Sequence, residues 1–364
     1  MKVLNLIWGF TTGGGIDKCF LAYAKMGEVG KEMEVVNVCI SFSDANPHLD
    51  LLSVIGTRII RIKNRRDLSW IRKLKALIAQ ERPDVLFSHG FNGAIVLWME
   101  RLSGVKTDIV LTYHGRYNPP TASRRLVAAL FNLLPVWIYR HVAKKVICVS
   151  EDSRRQLLKR GVPAFKAITV YNGIPAAVPE GRMAMDGKVI NIVSCSRIDA
   201  IKGLDDLLQA LAALKEEGLA FHYYMIGEGP ELERLQRLCR ELSLDDFVSF
   251  PGYQSNIAEW LNGADIYVSS SLQENHSVAI LEAMRAGLAI VATEVGGNGE
   301  SVRNRQEALL VPPANAKALG EALKTLLSDA ELRRTLAQAA RKRFEAVFTE
   351  EMMLKNLTGA LKNR

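Results

Sequence analysis

The sequence has little cysteine, and what it has falls without a pattern. Cys19, Cys39, Cys148, Cys195 and Cys239 are odd in number, scattered, and nowhere spaced C-x-x-C. That argues against a disulfide framework or a zinc site and makes a reducing cytoplasm the expected location. No apolar run is long enough to span a bilayer as a helix. The opening "MKVLNLIWGF" lacks a signal peptide's apolar stretch and cleavage site, and reads as a first strand. There is no D-x-D, no internal repeat and no low-complexity tract. Acidic residues are scarce in one half only. Residues 1–175 hold 26 lysines and arginines against 13 aspartates and glutamates, a net +13, whereas the remainder holds 21 against 26, a net −5. The first half therefore either meets something anionic or carries a solvated basic surface.

What is present is a rhythm. "VLNLIWGF", "MEVVNVCI", "TRIIRI", "PDVLFS", "DIVLTY", "KKVICVS" and "AITVYN" read as strands, separated by amphipathic helical stretches. One such stretch is "IDKCFLAYAKMG", where Ile16, Cys19/Phe20 and Tyr23 recur at helical spacing. "KVINIVSCS", "FHYYMIG", "FVSFPG", "ADIYVSSS", "LAIVAT" and "ALLVPP" repeat the alternation in the second half. Strand–helix alternation implies parallel sheets covered on both faces, the doubly wound α/β class. Between the two series, Ile174 to Lys188 ("IPAAVPEGRMAMDGK") has two prolines, two glycines and no periodicity, and reads as a linker. A chain of 364 residues is long for one core, so two Rossmann-like domains facing a cleft are expected, with boundaries near 1–177 and 178–348. In open α/β sheets, ligands bind beyond the C-terminal ends of the strands, so the residues found there matter most.

Gly13 to Gly15 follow the first strand and open a helix, letting backbone N–H groups approach a ligand. The spacing is not G-x-G-x-x-G, which argues against a dinucleotide site. His114 and Gly115 follow the fifth strand, and His89 ends the fourth. A histidine at a strand end can hydrogen-bond a ligand or simply pack. In "SRIDAIKG", Arg197 and Lys202 stand at a strand end in the acidic half, a forked donor and a point charge suited to a polyphosphate; a solvated basic loop is the alternative. Gly252 and Tyr253 end another strand, where a planar base could rest. "SLQENHSVAILEAMRAG" then places Glu274 in a loop, a helix start at Ser277, and Glu282 in that helix's second turn. N–H groups of His276, Ser277 and Val278 would receive an anion at the positive end of the helix dipole. Carboxylates bind hydroxyls, so the order fits a diphosphate flanked by sugar hydroxyls, a nucleotide-sugar. "TEVGGNGE" adds Gly296, Gly297 and Glu300 after the next strand.

On these motifs the chain resembles the GT-B-fold retaining glycosyltransferases of the large bacterial E-x7-E group, similar to family 4, that build lipopolysaccharide, capsule, teichoic-acid and phosphatidylinositol-mannoside glycans. The carriers are Glu274–Glu282, "GGGI", "YHG", "SRIDAIKG" and "VGGNGE". The resemblance implies that Glu274 binds donor-sugar hydroxyls and Glu282 the ribose. It gives Arg197 and Lys202 to the diphosphate, aided by backbone near His276 and Ser277. It places His114 beside the transferred sugar, with Gly14 and Gly15 letting the first domain close over the phosphates. His89 and Arg116 are the acceptor-side candidates. Residues 349–364 would form a helix crossing back to the N-terminal domain. Asn275-His276 departs from the glycine and bulky residue common in the group, which points to this pair as a determinant of sugar choice. No cofactor and no metal are expected, since protein cations can replace Mg²⁺, and a front-face retaining mechanism requires no protein nucleophile.

The expected activity is transfer from a nucleotide-diphosphate sugar, a UDP-sugar first, to a lipid-linked or cell-surface glycan. The alternatives are a nucleotide-sugar epimerase of the same fold, which would need a base to direct water, and a non-catalytic sugar-nucleotide-binding protein, which could lose the phosphate cations. "RIKNRRDLSWIRKLKALI" interleaves seven cations with Trp70, Ile71, Leu74 and Leu77, and residues 123–145 pair an apolar helix with basic ends. Either is a core helix with a solvated face or a means of docking on the inner face of an anionic membrane. No nucleic-acid-binding motif accompanies the basic half.

Overall fold

The computed structural model describes residues 1–9, 15–29, 33–41, 52–53, 55–63, 67–115 and 125–362. The apolar runs are the strands. β1 (Lys2–Trp8), β2 (Glu34–Ser41), β3 (Arg58–Arg61), β4 (Val85–His89), β5 (Asp108–Tyr113), β6 (Lys145–Cys148) and β7 (Ala167–Thr169) lie in the first half. β8 (Ile190–Cys195), β9 (Phe221–Ile226), β10 (Val248–Gly252), β11 (Ile266–Ser269), β12 (Ala289–Thr293) and β13 (Leu309–Val311) lie in the second. Strands such as β4 and β12 are buried at every position, because helices cover both faces of a parallel sheet.

The chain forms two compact units, Met1–Gly173 with Glu350–Arg364, and Ile174–Thr349. The first holds a seven-stranded sheet in the order β3-β2-β1-β4-β5-β6-β7, the second a six-stranded sheet in the order β10-β9-β8-β11-β12-β13. Every pairing is parallel, so all strands of a sheet end on the same edge. In each sheet the order reverses beside the first strand, between β1 and β4 and between β8 and β11. That reversal parts the crossover connections and opens a crevice at the carboxyl ends. Two parallel doubly wound sheets are thus the architecture expected from the alternation.

Helix Leu204–Glu216 shows how local pattern makes these layers. Leu204, Leu207, Leu208, Leu211 and Leu214 form its buried stripe, and Asp205 and Asp206 sit in its first turn where the helix dipole favours negative charge. The final helix, Glu350–Lys362, belongs to the first unit. It buries Met353, Leu354, Leu357 and Leu361 in one cluster with Tyr23, Met26 and Phe87. Each such side chain contributes about 1.5–3 kcal/mol when fully buried. Lys25 Nζ to Glu350 Oε1 at 2.8 Å and Lys145 Nζ to the Ala360 carbonyl at 2.9 Å fix its direction. All five cysteines are free and buried. Among the described residues no helix is long and apolar enough to cross a membrane.

Candidate functional site

The carboxyl edge of the second sheet gathers most of the predicted residues. Lys202 ends a single 3-10 turn, Ala200–Lys202, that follows β8. The loop after β11 packs on that turn: Ser270 Oγ donates to the Lys202 carbonyl at 2.9 Å, and the Leu272 N–H donates to the Ile201 carbonyl at 2.8 Å. Two loops separated by 72 positions in sequence thereby bring Lys202 Nζ to Glu274 Oε1 at 2.5 Å, both side chains largely shielded. Ser271 Oγ donates to the same oxygen at 2.9 Å, and Thr293 Oγ1 of β12 donates to the Ser271 carbonyl at 2.5 Å.

The backbone of Glu274 is held from the other side by the glycines after β12. Gly296 has φ +51°, and a Cβ placed on it would lie 1.7 Å from the Glu274 carbonyl oxygen. Only glycine permits that approach. Three residues on, Ser277 is the N-cap of helix Val278–Ala286, its Oγ accepting from the Ile280 N–H at 3.4 Å. The other first-turn N–H groups, Val278 among them, mark the positive end of a nine-residue helix. Glu282 lies half-buried in the next turn. Tyr267 of β11 is buried, its phenol pushed well up by burial and then by the charges of Cys195, Glu274 and Glu282.

Other predicted residues take different positions. Arg197 is exposed and pairs with Asp199 (Nε to Oδ2, 3.2 Å), whereas Lys202 pairs with Glu274. The His276 side chain is turned inward, with Ser301 Oγ 3.3 Å from its Nε2 and the Phe348 ring 5.5 Å away, and burial lowers it to about 3. Only its backbone is available to a ligand, so of the Asn275-His276 pair Asn275 alone offers a side chain at the loop. Asn275 Oδ1 is buried with no hydrogen-bond partner among the described residues. Gly252 ends β10 with φ +73°, its carbonyl accepting from the Gly227 N–H at 2.9 Å, and Tyr253 beside it is exposed.

In the first unit His114 follows β5, half-buried, with Nε2 3.0 Å from Thr112 Oγ1; desolvation lowers it to about 4. His89, at the end of β4, is a core residue rather than an open strand-end group. It is 3% exposed, stacks on Tyr23 at 5.2 Å, and has both ring nitrogens engaged, by Asn5 at 2.8 Å and Thr112 at 3.2 Å. Burial, then the charge of His114, pushes it well below the usual imidazole range. Gly15 begins helix Gly15–Tyr23, whereas Gly14 and Arg116 lie outside the described residues. Ser271, Tyr267, Thr112 and Asn5 carried no motif signal, since serine, tyrosine, threonine and asparagine are common and their roles depend on partners far away in sequence. Among the described residues no cluster of three or more His, Cys, Asp or Glu side chains is placed to hold a metal ion.

Both halves of the chain resemble known proteins. Residues 183–343 match the family model described as glycosyl transferases group 1, and residues 30–178 match glycosyltransferase family 4. The chain is 26% identical over 300 residues to N-acetyl-alpha-D-glucosaminyl L-malate synthase of Bacillus anthracis, covering 79% of this chain and 77% of that protein. It is 23% identical over 304 residues to the lipopolysaccharide core biosynthesis glycosyltransferase LpsE of Rhizobium meliloti, covering 81% and 82%. Anabaena HepE, solved with UDP and with UDP-glucose, superposes with a TM-score of 0.84 at 20% and 19% identity, both chains covered in full. Two family models that together span both units, and a GT-B glycosyltransferase fold shared over the full length, identify the chain as a member of the GT-B glycosyltransferases.

Proposed function

We propose that this glycosyltransferase moves a hexose from a UDP-sugar to a lipid-linked or cell-surface glycan, with retention of anomeric configuration and without a metal. The observation that carries the reading is the Lys202–Glu274 pair at the mouth of helix Val278–Ala286. It sets an ammonium, a carboxylate and a helix N-terminus together, and those are the groups a sugar diphosphate needs. In this reading Lys202, Arg197 and the N–H groups at 276–278 hold the diphosphate. Glu274 and Asn275 take the sugar hydroxyls, Glu282 takes the ribose, and the base rests near Gly252 and Tyr253. His114, with Gly14 and Gly15, serves the transferred sugar and its phosphates. Among the acceptor-side candidates, His89 lies in the core and acts at most through its neighbours, which leaves Arg116.

In the chemical step the bond from the anomeric carbon to the diphosphate oxygen breaks, and its electron pair leaves with the diphosphate. The acceptor hydroxyl oxygen bonds to that carbon on the same face, and its proton passes to a leaving-group oxygen. Fixed positive charge at the developing diphosphate is the main protein contribution; removing one such group typically costs about 100- to 1,000-fold in rate. The acceptor is proposed to lie at an anionic membrane surface. Leu133 and Trp137 stand exposed on helix Arg125–His141, which ends in Arg140 and His141.

The test is a thermal-shift panel of UDP-, GDP-, ADP- and CMP-sugars in EDTA, followed by NMR of the product anomer. Stabilisation by UDP-sugars and an α product from an α donor are expected. Inversion, or strict dependence on added divalent metal, would overturn the corresponding part. Release of an epimerised donor with no acceptor present would favour an epimerase, and binding without turnover a non-catalytic protein.

A further inference from the structure

A chain of buried side chains crosses the carboxyl-end half of the first sheet from β2 to β5. Asn37 Nδ2 donates to the Ile55 carbonyl at 3.4 Å, and Asn5 Nδ2 donates to Asn37 Oδ1 at 2.9 Å. His89 Nε2 is 2.8 Å from Asn5 Oδ1, His89 Nδ1 is 3.2 Å from Thr112 Oγ1, and Thr112 Oγ1 is 3.0 Å from His114 Nε2. Asn5, Asn37, His89 and Thr112 are all buried, so each proton position matters.

The direction of every bond follows from one end. A backbone carbonyl can only accept, so Asn37 must present its amide nitrogen to Ile55 and its oxygen to Asn5. Asn5 then donates to Asn37 and turns its own oxygen to His89, which requires a proton on His89 Nε2. Stacked on Tyr23 and enclosed by Phe20 and Phe87, His89 is neutral, so its Nδ1 is a lone pair that needs a donor. Among the described residues Thr112, 3.2 Å away, supplies that proton from its hydroxyl. The Ser88 carbonyl also lies 3.5 Å from Thr112 Oγ1, but a proton sent there would set two lone pairs against each other at 3.2 Å. With its proton committed to His89, Thr112 can only accept from His114.

We propose that Thr112 and His89 are positioning residues that hold His114 in its Nε2–H form, leaving Nδ1 as an acceptor for a substrate hydroxyl. No described residue donates to that nitrogen. A phosphate or carboxylate oxygen, which brings no proton, is not a partner for it; a sugar hydroxyl is. The assignment of that hydroxyl rests on the proposed transfer reaction, whereas the tautomer itself does not.

The experiment is NMR of the full chain labelled with ¹⁵N-histidine, the resonances of His89 and His114 assigned from His89→Gln and His114→Gln spectra. Wild-type protein is expected to show a protonated Nε2 and a bare Nδ1 at both residues. Thr112→Val keeps the branched shape but removes the hydroxyl, and should release His114 into a mixture of tautomers; Thr112→Ser should restore the wild-type spectrum. Thr112→Val should also lower kcat by about tenfold, the worth of one misplaced buried hydrogen bond, with donor KM unchanged. A proton on Nδ1 of wild-type His114, or an unaltered His114 spectrum in Thr112→Val, overturns the proposal, and the first result does not depend on any Thr112 variant folding. If His114→Ala transfers sugar at the wild-type rate while the tautomer is as assigned, the transfer role of His114 fails and the network stands.

Discussion

Replacing Gly296 by alanine separates the two things a glycine can be needed for. Its φ of +51° lies in the left-handed region, where an L-residue costs about 1–2 kcal/mol. Gly287 shares that requirement, with φ +72° at the C-terminus of helix Val278–Ala286, but a Cβ there meets nothing within 4 Å. At Gly296 the new Cβ would lie 1.7 Å from the Glu274 carbonyl oxygen, whereas ordinary contact begins near 3.4 Å. Both groups are backbone, so the missing distance has to come from moving the Glu274 loop, and with it the carboxylate that faces Lys202. A displacement of about 1 Å at a reacting centre costs about 100-fold in rate. Gly287→Ala should therefore melt a few degrees lower and keep wild-type kcat/KM. Gly296→Ala should melt lower too and lose about 100-fold or more in kcat/KM. The assay is release of nucleoside diphosphate from the donor identified by thermal shift, with circular dichroism to confirm folding. A folded Gly296→Ala enzyme within threefold of wild type (about 0.7 kcal/mol) would refute the idea that this contact positions a chemically important Glu274.

Lys202→Ala should retain the fold and lose about 100- to 1,000-fold in kcat, read by the same release assay; near-normal turnover would remove the diphosphate role. His276 makes stability fall in acid. Its folded value of about 3 lies below the unfolded 6.5, so as pH drops below 6.5 the unfolded state takes up the proton first, and by pH 5 the loss is about 2 kcal/mol. Urea unfolding at pH 7.5 and pH 5 should show a smaller decrease in His276→Gln than in wild type, and equal decreases would contradict a buried neutral His276. If the basic, apolar face of the first unit docks on membranes, vesicles containing anionic lipid should sediment the protein in low salt but not in high salt, and neutral vesicles should not. Salt-insensitive or absent binding counts against it.

Much of the fold was legible because it rests on short-range pattern. Thirteen apolar runs read from the sequence are the thirteen strands named above, since a strand buried on both faces must be apolar along its length. The start of helix Val278–Ala286 at Ser277 was legible for the same reason, a cap acting within three residues. His89 was not. A histidine beside glycine at a strand end looks the same in sequence whether it faces solvent or Tyr23, and Tyr23 lies 66 positions away. His276, read as part of a ligand-binding loop, keeps only its backbone there because its ring is packed against Phe348.

By itself, then, the sequence determined the alternation of strand and helix, two parallel doubly wound sheets, and which residue types stand at strand ends. Those depend on backbone periodicity and on neighbours within a few positions. The tertiary structure alone decided that Lys202 meets Glu274, and that Gly296 presses on the Glu274 carbonyl. It also decided that amides, imidazoles and the Thr112 hydroxyl form one line from Ile55 to His114. Each of these is a contact between residues far apart in the chain, set by how strands order themselves in a sheet, and no local pattern of side chains encodes it.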